Sequence, residues 1–284
     1  MPAVPHSPSR LGIRLASSPL FSRLYPLRFA KQLHLKEYTV CDPALPPFLS
    51  GLRIAYASDI HYGAFLDRTG VEKLTEKLNA LDADILILGG DYGDSPETTS
   101  EFFRILPTLK ARMAVCGVMG NHDRAGLSAR SLATAMLRKD ITPLCNSAAK
   151  ISIRGSCIAV CATDDCNHGK PDYPLTSRLV RKADYVIFAP HSPDALVPAY
   201  RLSDKPFFNL AVCGHTHGGQ IAPLGVTLRT SCRLGWRYGQ QYRTGMISEH
   251  GVSVIVSNGI GTTYMPMRIG AEPQYHAILL RNGE

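Results

Sequence analysis

From about residue 37 the chain alternates between short apolar runs and amphipathic segments, a pattern typical of α/β proteins. The apolar runs predict buried strands at 52–58, 83–89, 113–119, 149–162, 184–189, 208–213, 244–249, 252–257 and 274–281. Helical spacing predicts helices at 69–80, near 97–110 and near 127–139. A turn at His250-Gly251 indicates that the last three strands form an antiparallel, hairpin-like unit.

The first 36 residues have a different composition from the rest. They contain six Lys or Arg and no Asp or Glu, interleaved with apolar side chains, and Pro19 and Pro26 would interrupt a long helix. Three interpretations fit: a segment lying on an anionic membrane surface, a transit peptide, or a disordered basic tail. We therefore divide the chain into an N-terminal segment, residues 1–36, and one domain, residues 37–284.

The formal net charge of +8 favours anionic partners, which include nucleic acid, anionic lipid and phosphorylated small molecules. No nucleic-acid-binding motif is present. No apolar run reaches the ~18 residues of a membrane span, and no secretory signal is visible. The eight cysteines include no CxxC pair, which argues against a zinc ribbon and favours a reducing compartment. We expect a cytoplasmic protein, peripheral on the inner membrane if residues 1–36 bind lipid.

Five short polar groups each follow directly on an apolar run, where ligand sites gather in α/β folds. They are Asp59-Ile60-His61, Gly89-Gly90-Asp91, Gly120-Asn121-His122-Asp123, His191, and Gly214-His215-Thr216-His217-Gly218-Gly219. In an extended segment, residues i and i+2 point to one side, so Asp59 and His61 can reach one metal ion. The His215 and His217 imidazoles form a similar pincer, which suits Zn, Mn or Fe.

Each group alone has an ordinary structural explanation, such as a turn for Asp91 or a packed side chain for His191. Five of the ten histidines fall in these groups, however, whereas independent structural roles would scatter them. The two oxygens of Asp91 can bridge two metal ions, and Asn121 offers a neutral carbonyl oxygen. His122 can act as a general acid or donate a hydrogen bond to phosphate, oriented by Asp123.

In this order the groups resemble the calcineurin-like metallophosphoesterase family, whose pattern is D-x-H, G-D, G-N-H-[DE], H and G-H-x-H. The resemblance implies a four-layer αββα sandwich of two mixed sheets flanked by helices, with two divalent metal ions (Mn, Fe or Zn). It also implies that His122 assists the leaving group. The implied ligands are Asp59, His61, His217 and Asp91 for one ion, and Asp91, Asn121, His191 and His215 for the other.

Two departures from the general pattern bear on the substrate. Some members carry an Arg soon after the bridging Asp, as in GDxxDR, but here Ser95 follows Asp94, so phosphate contacts must come from elsewhere. The stretches GHTHGGQIAPLG and SNGIGTTYMPMRIG resemble a narrower branch, which includes bacterial membrane-associated phosphoesterases and an enzyme that cleaves UDP-diacylglucosamine in lipid A synthesis.

The branch implies hydrolysis of a lipid-linked phosphate or pyrophosphate by a metal-activated hydroxide, with manganese as one candidate ion. The alternative is a broad phosphodiesterase or phosphatase acting on soluble nucleotides. Some folds of this family lose metal ligands and serve as scaffolds, but here every ligand position is filled, which favours an enzyme.

A basic zone is the other candidate for substrate contact. No Asp or Glu occurs between Asp204 and Glu249, and in that interval Arg229, Arg233 and Arg237 recur every four residues. We predict that Arg233 and Arg237 contact a second phosphate, a nucleotide or a lipid headgroup, although a solvated basic face explains the pattern equally well. Asp165, in the loop after CIAVCA, is a further candidate for substrate binding.

Overall fold

Two six-stranded sheets make up the computed structural model, which describes residues 33–153, 155–227 and 241–283. The strands are β1 (His34–Cys41), β2 (Arg53–Ala57), β3 (Ile85–Leu88), β4 (Ala114–Val118), β5 (Thr142–Leu144), β6 (Ser147–Ile153), β7 (Ser156–Ala162), β8 (Tyr185–Phe188), β9 (Leu210–Cys213), β10 (Gly245–Glu249), β11 (Val252–Val256) and β12 (Gln274–Arg281). The α-helices are α1 (Arg68–Asn79), α2 (Pro96–Ile105), α3 (Asn121–Gly126), α4 (Ala129–Leu137), α5 (Tyr173–Val180) and α6 (Leu196–Tyr200).

Both sheets are mixed. The first has the order β1-β12-β2-β3-β4-β5, in which β2 to β5 run parallel and β12 is antiparallel to β2. The second has the order β10-β11-β9-β8-β7-β6, in which β11, β9, β8 and β7 run parallel and each edge strand is antiparallel to its neighbour. The carboxyl ends of the parallel strands within each sheet therefore share one edge.

Side-chain alternation along the strands separates the core into layers. In β2, Ile54 and Tyr56 pack against side chains of the second sheet, whereas Ala55 and Ala57 pack against the helices outside the first sheet. A third apolar cluster joins the outer face of the second sheet to α5 and α6. The order is helices, sheet, sheet, helices, and the predicted αββα sandwich is confirmed.

Local capping explains where two of the outer helices begin. The side chain of Asp67 accepts a hydrogen bond from Gly70 N at 3.0 Å and caps α1. Ser95 and Thr98 form a reciprocal capping box at the start of α2, and Pro96 occupies the first turn, where its missing N–H costs nothing.

The strand predictions need three corrections. The run 149–162 is a hairpin of two strands, β6 and β7, rather than one strand. The final strand, β12, does not join β10 and β11; it crosses to the first sheet and pairs with β1 and β2. The hairpin prediction holds for β10 and β11, whose turn residues His250 and Gly251 both have the positive φ of a tight hairpin turn. β1 and β5 were not predicted.

The helix predictions also need correction. The helix predicted near 127–139 corresponds to α4, with the short α3 before it, and α2 ends at Ile105 rather than near residue 110. α5 and α6 were not predicted, although Asp172 caps the first turn of α5. β1 begins at His34, three residues before residue 37, where we drew the domain boundary. Among the described residues, no helix is long and apolar enough to cross a bilayer.

Candidate dinuclear metal centre

Five parallel strands deliver the predicted residues to one place. Asp59 and His61 follow β2, Asp91 follows β3, and Asn121 and His122 follow β4 in the first sheet. His191 follows β8, while His215 and His217 follow β9 in the second. Because these strands run parallel within their sheets, their carboxyl ends converge and bring side chains from both sheets together.

The first cluster contains Asp59, His61 and His217, each of which is buried and offers one ligand atom within 4.8 Å of the others. His217 Nε2 lies 3.6 Å from Asp59 Oδ1. The backbone N–H of His215 donates to both oxygens of Asp59, at 2.9 and 3.0 Å, which fixes the carboxylate against the loop after β9.

The second cluster contains Asp91, His191 and His215, again with ligand atoms within 4.8 Å of one another. His191 Nε2 lies 3.3 Å from Asp91 Oδ2 and 3.2 Å from His215 Nδ1. Asn121 Oδ1 is 3.0 Å from the same His191 nitrogen. All four residues of the predicted second ligand set are therefore brought together.

Asp91 lies between the two clusters. Its Oδ2 is 3.6 Å from His61 Nε2 on one side and 3.3 Å from His191 Nε2 on the other. Its Oδ1 accepts a hydrogen bond from the backbone N–H of His122 at 2.9 Å. The carboxylate thus faces both clusters, and a backbone hydrogen bond fixes its other oxygen.

Backbone strain is concentrated in this set of residues. Asp59, His61, Asp91, His215 and His217 all have φ between 49° and 69°, in the left-handed region that non-glycine residues seldom adopt. Such conformations cost of order 1–3 kcal/mol each and persist only where the surroundings impose them. The strands therefore end in turns that point these side chains inward at an energetic cost.

Two glycines of the motifs are explained by close approach. A Cβ on Gly120 would collide with Asp91 Oδ1, and a Cβ on Gly214 would collide with Asp59 Oδ2. The glycine before Asn121 and the glycine before His215 thus make room for the carboxylates of the other loops.

Burial and neighbouring charges shift the pKa values of three imidazoles in the cluster. Burial, reinforced by His61 and Arg268, lowers the pKa of His217 well below its ordinary value, and burial with His191 lowers the pKa of His215. Burial also disfavours the charged form of His191, but the charge of Asp91 outweighs it and raises the pKa of His191 well above the ordinary value. A cation between Asp91 and His191 would meet the same negative charge that raises this pKa.

His122 lies at the first residues of α3, next to His61. Their rings meet edge to face with centroids 4.7 Å apart. One ring nitrogen of His122 also lies within 4.8 Å of ligand atoms of His61 and Asp91, so its position suits either metal ligation or proton transfer.

Asp123 is fully buried, and its two oxygens accept hydrogen bonds from three backbone N–H groups: Asp91 at 2.8 Å, Tyr92 at 3.0 Å and Gly120 at 2.9 Å. Burial, followed by the charge of Asp91, raises the pKa of the Asp123 carboxyl to about 7, while these three donors oppose the shift. The carboxylate therefore ties the turn after β3 to the turn after β4 and positions Asp91.

Two contributors were missed by sequence reasoning, Asp94 and Arg268. Asp94 Oδ1 is 3.0 Å from His61 Nδ1, and both side chains are buried. Arg268 is also buried, and it donates to the backbone carbonyls of His217, Gly261 and Ala271. Asp94 stands three residues after Asp91, a spacing that could have identified it, whereas nothing local to Arg268 in the sequence indicates its position.

We expect Asp94→Ala to weaken metal binding by about 10- to 100-fold, as is typical when a carboxylate that orients a metal-ligating histidine is removed. The contact of Asp94 with Nδ1 leaves His61 Nε2 free to ligate. Isothermal titration with Mn²⁺ measures the change. Asp94→Asn keeps an acceptor oxygen and should recover much of the affinity; equal affinities for wild type and Asp94→Ala would rule out this role.

Of the three predicted substrate contacts, the structure describes only Asp165. Asp165 is buried in the loop after β7; its Oδ2 accepts hydrogen bonds from Asn167 N at 2.8 Å and His168 N at 2.6 Å. Its charge acts on His191 and His215, which places it near the second cluster. Arg233 and Arg237 lie outside the described residues.

Two groups of buried nitrogen and oxygen atoms suit a cation. Within the described residues, His61 Nε2 has no hydrogen-bond partner and faces Asp91 Oδ2. His191 Nδ1 contacts the carbonyl of Gly89 at 2.8 Å, which turns its Nε2 toward Asp91 Oδ2 and Asn121 Oδ1. Imidazole nitrogens with carboxylate and amide oxygens are the donor set of borderline divalent metals. The residues fit two such ions.

Comparisons with known proteins agree with this geometry. The family model described as calcineurin-like phosphoesterase matches residues 52–219, more than half of the chain. An uncharacterized metallophosphoesterase of Bacillus subtilis, YkuE, is 29% identical over 251 residues, which cover 87% of this chain and 85% of the relative. A transmembrane protein with metallophosphoesterase domain from Danio rerio is 29% identical over 84% of this chain and 55% of its own length.

The family match extends from β2 to the loop after β9 and so includes every residue of the two clusters. Calcineurin-like phosphoesterases use two divalent metal ions, which is what the two clusters joined at Asp91 can hold. This chain belongs to the calcineurin-like phosphoesterase family and is a metal-dependent phosphoester hydrolase.

Proposed function

We propose that this hydrolase cleaves the phosphoester or pyrophosphate bond of a lipid-linked phosphate, as a UDP-2,3-diacylglucosamine pyrophosphatase does, in lipid A biosynthesis. We assign Asp59, His61, His217 and Asp91 to one ion, and Asp91, Asn121, His191 and His215 to the other. The position of Asp91 Oδ2 between His61 and His191 is the observation that carries the two-ion assignment. Manganese is our candidate for both ions.

Two divalent ions held by these residues would supply Lewis-acid chemistry, which polarises a phosphoryl oxygen and lowers the pKa of a nearby water. The protein's own residues do the rest. Asp91 fixes the separation of the two clusters, and Asp123 holds Asp91 through its backbone N–H. In this proposal His122 donates a proton to the leaving oxygen, which develops negative charge as the phosphorus–oxygen bond breaks.

Two features support an amphipathic substrate. Residues 1–36 mix basic and apolar side chains. We propose that this segment contacts an anionic membrane and holds a cytoplasmic protein at the surface of the inner membrane. The loops after His217 and Gly261 expose the apolar side chains of Ile221 and Ile269 close to the metal-binding residues. A substrate with a charged phosphate and an acyl part would match both kinds of surface.

We also propose that Asp165 contacts the nucleotide part of the substrate. Its Oδ1 is buried and has no hydrogen-bond partner among the described residues, so it can accept an N–H or O–H from a bound ligand. Arg233 and Arg237 remain our candidates for a second phosphate.

The alternative is a broad phosphodiesterase or phosphatase that acts on soluble nucleotides. The net charge of +8 supports it as well, because a basic protein attracts soluble and lipid-linked phosphates alike. The sequence contains no nucleic-acid-binding motif, so we do not propose a nucleic acid as the specific partner.

Hydrolysis of UDP-diacylglucosamine, UDP-N-acetylglucosamine and bis-p-nitrophenyl phosphate, with Mn²⁺ and with chelator, separates the two. We expect all turnover to require metal and kcat/KM to be highest for UDP-diacylglucosamine. UDP-N-acetylglucosamine has a similar head group without the acyl chains, so it isolates their contribution. Equal kcat/KM for the two uridine substrates would discard the lipid assignment. Asp165→Asn should raise KM for both of them and leave KM for the simple diester unchanged; an equal change for all three would exclude the nucleotide contact.

A further inference from the structure

Two loops beside the metal centre expose a cluster of apolar side chains. Eleven large hydrophobic side chains are exposed among the described residues, and five of them lie on these loops. Scattered exposed hydrophobes are ordinary on a soluble surface, whereas a concentration beside a functional site indicates an interaction surface. We call this set the apolar rim; its members are Ile221, Leu224, Val226, Tyr264 and Ile269.

Hydrogen bonds join the two loops into one surface. Ile221 and Ile269 are bridge partners, and Ala222 N donates to Ile269 O at 2.7 Å. The side-chain amide of Gln220 donates to Thr263 O at 2.8 Å and accepts from Thr263 N at 2.9 Å. The members of the rim are therefore held together rather than distributed over independent loops.

The rim is also fixed relative to the metal-binding residues. Ile221 follows His217 by four residues, and the buried Arg268 precedes Ile269 directly. The guanidinium of Arg268 donates to His217 O at 3.2 Å and to Gly261 O at 3.0 Å. Whatever the rim binds is thereby held at a set distance from the ligand His217.

Leu224 is the most exposed member of the rim. It is fully exposed in the turn Pro223–Gly225, which is closed by a hydrogen bond from Gly225 N to Ala222 O at 3.0 Å. Its φ is +54°, a left-handed conformation that is unfavourable for leucine. Since the side chain is not buried, no packing within the described residues offsets that strain.

Positive charge accompanies the apolar side chains. The Arg243 guanidinium donates to Gly218 O at 2.7 Å, and its Nη2 lies 3.9 Å from where a Cβ on Gly225 would be. In the sequence, no acidic residue occurs between Asp204 and Glu249. Apolar side chains at a turn beside a guanidinium, without a nearby acidic residue in the sequence, are typical of a surface that lies in the interface of an anionic bilayer.

We propose that the apolar rim docks on an anionic phospholipid bilayer, with Leu224 and Val226 among the acyl chains and Arg243 at the headgroup phosphates. The functional consequence rests on the proposed function: a lipid-linked phosphate at headgroup depth would lie beside the loop of His217. Docking itself is a binding event and can be tested without turnover.

The test places a fluorescent reporter in the rim of the full chain. Trp236 is the chain's single tryptophan, so Leu224→Trp in a Trp236→Phe background gives one emitting residue. The matched control is Leu137→Trp in the same background, because Leu137 is 60% exposed at the end of α4, on the helical layer of the first sheet. Vesicles of phosphatidylglycerol and phosphatidylcholine, with and without brominated acyl chains, are added to each protein.

We expect the emission of Leu224→Trp to shift to the blue and to be quenched by bromolipid, while that of Leu137→Trp stays unchanged. In the wild-type background, Leu224→Ser with Val226→Ser should weaken vesicle binding about 100-fold, since burial of each of the two apolar side chains contributes about tenfold to partitioning. Leu137→Ser should bind as wild type does.

Three results would overturn the proposal: no vesicle binding by the wild type, equal quenching at positions 224 and 137, or full binding by Leu224→Ser with Val226→Ser. The last would assign binding to another segment, such as residues 1–36, which every variant retains. Metal-dependent hydrolysis of soluble substrates is measured separately, so a failure of docking is distinguishable from a failure of the proposed function.

Discussion

Asp91→Asn is expected to lose both metal ions and to reduce hydrolysis to the level of the chelator-treated wild type. The substitution keeps the size of the side chain and an oxygen for the His122 N–H, so it tests the negative charge and the second oxygen. An amide offers one neutral oxygen and a donor NH₂ group, which cannot serve the two clusters on either side of it. Elemental analysis of the purified variant measures the metal content directly.

The control for this change is another buried aspartate. Asp84 accepts a hydrogen bond from Arg53 N at 2.8 Å and pairs with Arg112 at 3.1 Å, at the opposite end of β3 from Asp91. Asp84→Asn should keep both ions and full activity even if it lowers stability. An Asp91→Asn protein that still bound both ions would show that the carboxylate does not bridge them.

His122→Ala is expected to keep both metal ions and to lose turnover by about 10²- to 10⁴-fold, the usual contribution of a positioned acid or base. The loss should depend on the leaving group. An alkoxide needs a proton as it departs, whereas p-nitrophenolate is stable without one, so alkyl esters should suffer more than p-nitrophenyl esters. Kinetics with a series of leaving groups, together with metal analysis, provides the measurement.

His250→Ala is a suitable control because His250 lies in the β10–β11 turn, at the end of β11 remote from the metal centre. It should leave both metal content and rate unchanged. Two outcomes for His122→Ala would contradict its role as a proton donor. Loss of metal would make His122 a ligand, as its proximity to His61 and Asp91 permits, and an equal loss for every leaving group would exclude proton donation.

Some elements of the fold could not be predicted for identifiable reasons. β1 has one buried residue, Val40, and charged or polar side chains at most other positions, because it is an edge strand. Its sequence therefore resembles a loop. β12 was predicted as a strand but placed in the wrong sheet, since residues 257–273 give it a connection long enough to reach either one. Strand pairing at that distance depends on packing that local periodicity does not record.

In the metal centre, as in the fold, local sequence features predicted some properties and long-range packing decided others. The motifs by themselves determined which side chains are available and that each lies at the carboxyl end of a strand, because the residue type and the preceding apolar run are both local features. Asp59, His61, Asp91, Asn121, His191, His215 and His217 were all identified in this way, as was His122.

Only the tertiary structure decided how these side chains meet. It places Asp91 of the first sheet 3.3 Å from His191 of the second, and it brings Asp94 against His61 and the distant Arg268 against His217. It also imposes the left-handed φ of five site residues, which no local preference favours. These features arise from the packing of two sheets against each other, and contacts between residues so far apart in sequence leave no periodic signal in the chain.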